Sequence, residues 1–227
     1  SGEMFEAALT AGICSAGGVA ILAGIVPTPA IAYLARKHRT QAGIVISASH
    51  NPFGDNGIKF FGGDGYKLPD AVEDELEALV RRIEAGDDAA RPTGRHVGTV
   101  ERRHDLVNQY VDYVVGTCAQ RLDGMKIVLD CANGAAYEAM PKVLRALGAE
   151  LKVIHALPNG VNINDNCGST HLDSLRRTVL ETGADIGIAH DGDADRCLCL
   201  DETGALIDGD HILVACAGEM LRAGRLP

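Results

Sequence analysis

Short apolar runs rich in β-branched residues alternate along this chain with longer segments whose apolar residues recur every three or four positions. The runs predict buried strands, and the segments predict helices that turn one face to a core. Such alternation is typical of parallel sheets covered by helices on both faces. The sequence therefore predicts an α/β fold of mixed, mainly parallel sheets flanked by helices.

The same periodicity assigns most of the chain to elements. It predicts helices over residues 4–14, 29–38, 70–83, 106–119, 135–147, 172–181 and 210–222. It predicts strands over residues 19–26, 43–46, 57–61, 126–130, 151–155, 185–189, 197–201 and 205–207. The last two strands flank Glu202-Thr203-Gly204, which indicates a hairpin, and Gly148 is placed to end a helix.

A stretch rich in Gly, Asp, Ala, Pro and Arg interrupts the periodicity over residues 86–99. Such stretches often join domains, and 227 residues suffice for one large or two modest domains. We therefore predict two domains, residues 1–96 and residues 97–227. The chain begins without Met inside a predicted helix, so we expect it to be a piece of a longer protein.

Composition excludes several classes of function. Asp plus Glu outnumber Lys plus Arg by 31 to 21, and the chain has 5 Tyr, 4 Phe and no Trp. Proteins that track a nucleic-acid backbone need a basic surface and often stacking rings, so no nucleic-acid partner is expected. No apolar run approaches the roughly 18 residues of a membrane span. The 7 Cys form no C-x-x-C pair. We expect a cytoplasmic protein with reduced thiols and no membrane contact.

Two predicted strands end in polar segments, and ligand sites in α/β sheets gather at the carboxyl ends of strands. The segment after residue 189 holds Asp191, Asp193 and Asp195. Three carboxylates so close together are costly unless solvent or a cation offsets their charge. Ligand sets made only of oxygen favour a hard cation, Mg²⁺ or Ca²⁺, so these three residues are candidate metal ligands.

This acidic segment has three alternative interpretations. It could be a solvated acidic turn. It could be an EF-hand calcium loop, because D-x-D-x-D continues to Glu202 at the twelfth position, although Arg196 stands where that loop needs Gly and the flanks are predicted strands. It could be the aspartyl-nucleophile motif of haloacid dehalogenase phosphatases, although Ala194 and Asp195 replace the G-T or G-V of that motif.

The other polar segment, SASHNP over residues 47–52, places Ser49 beside His50. A serine hydroxyl needs a base, a metal or an attached phosphate to take part in catalysis, and otherwise the segment is an ordinary turn. It does not fit the G-x-S-x-G elbow of serine hydrolases, and the chain has no Walker A loop. Lys59, on the next predicted strand, is either a solvated surface charge or a residue that takes part in the chemistry of this site. Arg196 either balances the aspartates or grips a phosphate with two N–H groups.

Four segments of the chain together resemble the α-D-phosphohexomutase superfamily. They are residues 1–5 (SGEMF), 43–68 (GIVISASHNPFGDNGIKFFGGDGYKL), 162–171 (NINDNCGSTH) and 187–196 (GIAHDGDADR). Within that superfamily the chain is most similar to bacterial members that act on glucosamine phosphates. The resemblance runs over essentially the whole chain, and the serine motif and the D-G-D-x-D-R motif together are highly specific.

The resemblance implies a set of roles. Ser49 would carry an exchangeable phosphoryl group, and its phosphate would hold Mg²⁺ together with the three aspartates. Lys59 would transfer a proton, His50 would lie near the reacting oxygen, and Arg196 would contact the phosphoserine. The implied reaction interconverts glucosamine 6-phosphate and glucosamine 1-phosphate for amino-sugar synthesis. Its partners would be the phosphorylated hexosamine and a 1,6-bisphosphate intermediate.

The chain departs from the superfamily pattern in two ways. Members have four domains, and this chain resembles the second and most of the first, without the opening strand that normally precedes the position of Ser1. We therefore expect the chain to be inactive alone, with domains 3 and 4 of the same protein as partners. Ala194 also stands where members more often have Gly. Alternative functions are a mutase acting on glucose or mannose phosphates, and a module that only binds a divalent cation.

Overall fold

The computed structural model describes residues 1–87 and 91–226. Its helices are α1 (Gly2–Ser15), α2 (Thr28–His38), α3 (Asp70–Glu84), α4 (Leu106–Thr117), α5 (Ala136–Ala146), α6 (Asp173–Thr182) and α7 (Gly209–Arg222). Its strands are β1 (Ala20–Leu22), β2 (Ala42–Ile46), β3 (Ile58–Gly62), β4 (Val100–Arg102), β5 (Lys126–Asp130), β6 (Glu150–Ile154), β7 (Ile186–His190), β8 (Cys197–Asp201) and β9 (Leu206–Ile207). The predicted α/β class is confirmed.

The chain divides into two compact units. The first unit comprises Ser1–Ser47 and Asn56–Tyr110, and the second comprises Ala48–Asp55 and Val111–Pro227. Residues 97–110 belong with the first unit because β4 pairs in parallel with β1. The segment Ala48–Asp55, here named the serine loop, belongs with the second unit although it joins two strands of the first. The predicted sequence boundary between residues 96 and 97 stays a prediction.

The first unit contains two short ladders. β1 and β4 form a parallel pair, and β2 and β3 form an antiparallel pair, with Val45 opposite Lys59. The apolar run 19–26 gives a strand of only three residues, so its predicted length was wrong. β4 was not predicted because all three of its residues are exposed and give no apolar signal. The helix α2 has a proline in its first turn, and Arg39, the C-cap after its last residue, has φ of 53°.

The predicted apolar side of α3 is not buried within the described residues. Leu76, Leu79, Val80 and Ile83 retain between 38% and 54% of their surface, and no residue of the helix is buried. The helix itself is supported by acidic residues in its first turn and arginines in its last, which suit the helix dipole.

The second unit contains a five-stranded sheet in the order β6-β5-β7-β8-β9. β6, β5 and β7 run parallel, whereas β8 and β9 are antiparallel to their neighbours, which confirms the predicted hairpin. Ile127 and Leu129 pack in one core cluster with residues of α5, and Val128 packs in another with residues of α6. Because side chains alternate along a strand, these two helices cover opposite faces of the sheet.

Small residues allow this packing. A Cβ on Gly187 would lie 2.8 Å from Val179 and 3.1 Å from Leu175, so glycine lets α6 lie close to β7. Gly148 has φ of 97° directly after the C-cap of α5, as predicted for a helix stop. All seven cysteines are free thiols, and burial raises the pKa of Cys131 and Cys167 to about 12.

Candidate functional site

The serine loop carries one strained residue. Asn51 N–H donates to Ala48 O at 3.1 Å, and Asp55 N–H donates to Pro52 O at 3.0 Å, so two tight turns shape the loop. Ser49 is half-buried and has φ of 57°, a left-handed conformation that residues with a side chain rarely adopt. Such strain persists only where the surroundings over-determine the backbone.

The Ser49 hydroxyl lies between an acidic and a basic residue of the segment that follows β7. Its Oγ donates to Asp191 Oδ2 at 2.8 Å and accepts from Arg196 Nη2 at 2.9 Å. The hydroxyl is therefore oriented by a hydrogen bond on each side. Sequence alone places Ser49 and Asp191 142 positions apart, and the second unit brings them into direct contact.

Arg196 binds several groups of this site at once. Its Nη2 also lies 2.5 Å from His50 Nδ1, and its Nε lies 3.4 Å from Asp191 Oδ2 and 3.6 Å from Asp195 Oδ1. Because a guanidinium only donates, the His50 Nδ1 in this contact is an acceptor. Arg196 thus connects the serine loop to the aspartates. This position agrees with both predicted roles, balancing the charge of the aspartates and binding a phosphate.

Asp191, Asp193 and Asp195, here named the aspartate cluster, each offer one carboxylate oxygen, and these oxygens all lie within 4.8 Å of one another. Asp191 is fully buried and Asp193 is 2% exposed, whereas Asp195 is exposed. The ligand set contains only oxygen and suits a hard cation. This cluster could hold a metal ion. The flanking elements are the strands β7 and β8, so the EF-hand alternative, which needs helices, is wrong.

Burial and charge act together on Asp191. Burial raises the pKa of its carboxyl, and the nearby Asp193 and Asp195 raise it further. The Ser49 hydroxyl and the Arg196 backbone N–H oppose this rise by donating hydrogen bonds. The ionised cluster is therefore unfavourable by itself, and a bound cation would relieve both causes.

Two supporting residues were missed by sequence reasoning. Asn164 Nδ2 donates to Ser49 O at 2.9 Å and to Asn51 O at 3.0 Å. Asp130, fully buried at the end of β5, accepts from Ala132 N–H at 2.8 Å and from Gly168 N–H at 3.0 Å. Position was the only sequence signal for either residue. Asn164 lies within the NINDNCGSTH motif, and Asp130 lies at the end of a predicted strand.

Lys59 lies on β3 in the first unit and is half-buried. Its part in proton transfer stays a prediction. Gly192, between the first two aspartates, packs under the serine loop, where a Cβ would fall 2.5 Å from Ser49 O. Ala194 has φ of 55°, the conformation that the glycine more common in the superfamily adopts without strain.

Two protein-family models match this chain, one in its N-terminal part and one in its C-terminal part. The family model for phosphoglucomutase/phosphomannomutase α/β/α domain I matches residues 1–87, and the model for domain II matches residues 108–204. The predicted domain boundary falls between these two matches.

Two curated relatives and one solved structure give the same result. The chain is 52% identical over 227 residues to phosphoglucosamine mutase of Symbiobacterium thermophilum, and 54% identical over 226 residues to that of Desulforudis audaxviator. Each match covers 100% of this chain and 50% of the relative, so the chain spans about half the length of the curated relatives it matches.

The solved structure is a phosphoglucomutase/phosphomannomutase family protein from Burkholderia thailandensis. It matches with a TM-score of 0.79 and 28% identity, over 96% of this chain and 48% of that one. Domain models, curated relatives and a solved structure thus agree with the motifs around Ser49 and the aspartate cluster: the chain belongs to the phosphoglucomutase/phosphomannomutase family, within the α-D-phosphohexomutase superfamily.

Proposed function

We propose that this chain is the first half of a phosphoglucosamine mutase, which interconverts glucosamine 6-phosphate and glucosamine 1-phosphate. The local observation that carries the proposal is the Ser49 hydroxyl, held between Asp191 and Arg196 beside a cluster able to hold a metal. Relatives 51–54% identical to the whole chain and named phosphoglucosamine mutase support this choice of sugar. We place the reaction in the cytoplasm, where sugar phosphates and free thiols both persist.

Ser49 is the proposed phosphoryl carrier. A substrate hydroxyl attacks the phosphorus of phosphorylated Ser49, a P–O bond to the sugar forms, and the bond to Ser49 Oγ breaks. The proton lost by the hydroxyl passes to Lys59 in its neutral form, as the resemblance implies. The resulting 1,6-bisphosphate turns around in the site and returns its other phosphoryl group to Ser49, with Lys59 giving the proton back to the freed sugar oxygen.

Arg196 positions the transferred group and neutralises its charge, and His50 contacts Arg196. Phosphoryl transfer depends mainly on alignment and on compensation of negative charge. Arg196 already donates to Ser49 Oγ and so is placed to stabilise negative charge that develops there. His50 Nδ1 contacts the same Arg196 Nη2 that donates to Ser49 Oγ, and the resemblance implies that His50 lies near the reacting oxygen.

Mg²⁺ is the proposed cofactor, held by the aspartate cluster and by an oxygen of the Ser49 phosphate. When bound, it would supply positive charge to the transferring phosphoryl group and the leaving oxygen. The three carboxylates suit a hard cation because they offer only oxygen ligands, which lie within 4.8 Å of one another. Burial, and then the charges of Asp193 and Asp195, raise the pKa of Asp191, and a bound cation would oppose both causes.

The test is a coupled assay of the full-length protein with glucosamine, glucose and mannose 6-phosphates, primed with glucose 1,6-bisphosphate. We expect kcat/KM to be at least about tenfold higher for glucosamine 6-phosphate, a difference of about 1.4 kcal/mol in transition-state binding. Equal or reversed preference would favour a phosphoglucomutase or phosphomannomutase. An intact mass showing no phosphate on Ser49 after incubation with the bisphosphate would favour a module that only binds a cation.

A second arm of this test uses the 227-residue chain alone. Remote contacts to the sugar and to the second phosphate supply binding energy that positions the reacting end. We propose that these contacts lie in domains 3 and 4, so the chain alone should show no appreciable interconversion even with phosphate on Ser49. A rate within about tenfold of the full-length protein would contradict this assignment.

A further inference from the structure

One buried amide ties the serine loop to the rest of the second unit. Asn164 is 7% exposed and lies in the segment between β6 and α6. We propose that Asn164 is a positioning residue, which holds Ser49 at the distances from Asp191 and Arg196 that phosphoryl transfer needs. The inference rests on the proposed function for its effect on turnover, whereas its effect on the loop can be measured without any activity.

The Asn164 side chain makes two hydrogen bonds to the loop backbone, here named the Asn164 clamp. Its Nδ2 donates to Ser49 O at 2.9 Å and to Asn51 O at 3.0 Å. Carbonyl oxygens only accept, so the amide nitrogen must face the loop and the orientation of the side chain is fixed. Both N–H groups of the amide are therefore used by the carbonyls of Ser49 and Asn51.

These bonds act where the loop is strained. Ser49 has φ of 57°, a conformation that is sterically unfavourable for a residue with a Cβ. The conformation persists only if neighbouring contacts fix it. The bond from Asn164 to Ser49 O holds the peptide plane that leaves Ser49, and the bond to Asn51 O holds the loop two residues further on.

The backbone of Asn164 is itself held by a hydrogen bond to the segment just after β5. Its backbone N–H donates to Ala132 O at 2.9 Å, and Ala132 N–H donates in turn to the buried Asp130 carboxylate at 2.8 Å. The other oxygen of Asp130 accepts from Gly168 N–H at 3.0 Å, further along the same segment. The Asn164 clamp therefore rests on a buried carboxylate at the carboxyl end of β5.

The same contact reaches the aspartate cluster. A Cβ on Gly192 would lie 2.5 Å from Ser49 O and 2.8 Å from Asn164 Nδ2, so the backbone between Asp191 and Asp193 packs directly against the Asn164 clamp. Displacement of the serine loop would thus change the spacing between Ser49 Oγ and Asp191. Asn164 touches neither Oγ nor the carboxylates by a hydrogen bond within the described residues, and so acts through the backbone.

The principal variant is Asn164→Gly, which removes the amide but tolerates the φ of 57° that Asn164 adopts. Asn164→Asp keeps the shape but replaces the donor with an oxygen that faces two carbonyls. The matched controls are Asn166→Gly and Asn166→Asp. Asn166 has φ of 50° and is exposed, and its side chain donates to Asp165, its neighbour in sequence, and not to the serine loop.

Two readouts are measured. In the 227-residue chain, hydrogen–deuterium exchange should rise at least about tenfold for amides of residues 48–55 and stay unchanged elsewhere in the second unit. In the full-length protein, kcat should fall about 100-fold, the effect of a misplacement near 1 Å, while KM stays within about threefold. A merely structural role would raise exchange throughout the unit and lower the active fraction instead. Both controls should match the wild type.

The outcomes separate this inference from the proposed function. Unchanged loop exchange in both Asn164 variants overturns the inference, as does kcat within threefold of wild type. Loss of the folded state in both variants, read from near-ultraviolet circular dichroism, also overturns it, because positioning must be separable from folding. If the wild type itself neither turns over nor takes phosphate on Ser49, the proposed function fails, and the exchange readout alone still decides whether Asn164 holds the loop.

Discussion

The serine loop and the aspartate cluster meet at one site, but they are built in opposite ways. The serine loop is half-buried to exposed, has no regular secondary structure and is fixed by a few hydrogen bonds. The aspartate cluster begins directly at the end of a central strand, and two of its carboxyls are buried. The group proposed to react can therefore be altered at little cost to folding, whereas the cluster that would hold the cation carries a cost in stability.

This difference has a physical cause. A serine hydroxyl is neutral, so exposing or removing it changes the solvation energy little. Buried carboxylates of like charge are destabilised by desolvation and by one another, which raises the pKa of Asp191. A bound cation would oppose both causes. The four predictions below test the contrast, beginning with the largest expected effect.

Replacing the reactive hydroxyl should separate activity from stability most sharply. In the full-length protein, Ser49→Ala should reduce mutase turnover below detection, because the oxygen that carries the phosphoryl group is removed. The melting temperature should fall by no more than about 4 °C, because the half-buried hydroxyl contributes hydrogen bonds but little apolar surface. Ser49→Gly, which relieves the positive φ, should be equally inactive. Near wild-type turnover in either variant would exclude Ser49 as the carrier.

Removing two carboxylates should eliminate metal binding. Calorimetry on the 227-residue chain should show Mg²⁺ affinity at least about 100-fold weaker in Asp193→Ala/Asp195→Ala than in the wild type, because one carboxylate is a poor site for a hard cation. Phosphorylation of Ser49 should strengthen binding in the wild type by adding oxygen ligands and negative charge.

The control for that measurement is Glu202→Ala. Glu202 lies in the turn between β8 and β9 and stands at the twelfth position that an EF-hand loop would use. Its removal should leave Mg²⁺ affinity unchanged. Equal affinity in the wild type and the double variant would place the cation elsewhere.

In the metal-free protein, the contribution of Asp191 to stability should decrease as pH rises, because burial and the neighbouring carboxylates disfavour its charged form. The pKa of Asp191 is raised above 3.8 in the folded state, so the folded protein binds more protons than the unfolded one between 3.8 and the raised value. Across that window the contribution of Asp191 to the free energy of unfolding therefore falls with rising pH. In the presence of a chelator, Asp193→Asn should shrink this fall, because the Asp193 charge is one of its causes.

Two comparisons sharpen the pH measurement. Ser49→Ala should steepen the fall, because the Ser49 hydroxyl lowers the pKa of Asp191. Burial also raises the pKa of Asp130. Its contribution to the pH dependence of stability is the same in all of these proteins, so it does not affect the differences between them. Thermal unfolding followed by circular dichroism from pH 4 to pH 8 supplies the data, and parallel curves for the three proteins would contradict the assignment.

The smallest effect concerns backbone strain in the aspartate segment. Ala194 has φ of 55°, where glycine is free of the steric cost that alanine pays. Ala194→Gly should therefore raise the melting temperature by about 2–4 °C, which corresponds to about 1 kcal/mol in a chain of this size. Gly148→Ala, at a position with φ of 97°, is the reverse control and should lower it. A lower melting temperature for Ala194→Gly would mean that the loop is not strained at this residue.

Local pattern was sufficient for most of the fold. The bounds of several elements were predicted within a few residues, because each element buries one face in the core around the sheet. They are the strands at residues 126–130 and 186–190 and the helices at residues 136–146 and 173–182. β4 was not predictable, because its three residues are exposed and only its pairing with β1 makes it a strand. The apolar side of α3 was predicted from its period, but period alone does not determine burial.

The sequence by itself determined the family of the chain and predicted the chemistry of this site. Ser49, the three aspartates and Arg196 lie in two short motifs whose residue types restrict what they can do, and those motifs were recognisable without any structure. Only the tertiary structure decided that the serine loop packs with the second unit, that Arg196 connects Ser49 to Asp191, and that Asn164 holds the loop. These contacts join the serine loop to residues more than 100 positions away, and no local pattern encodes them. They depend on which loops the folded chain brings together beside the carboxyl ends of β5 and β7.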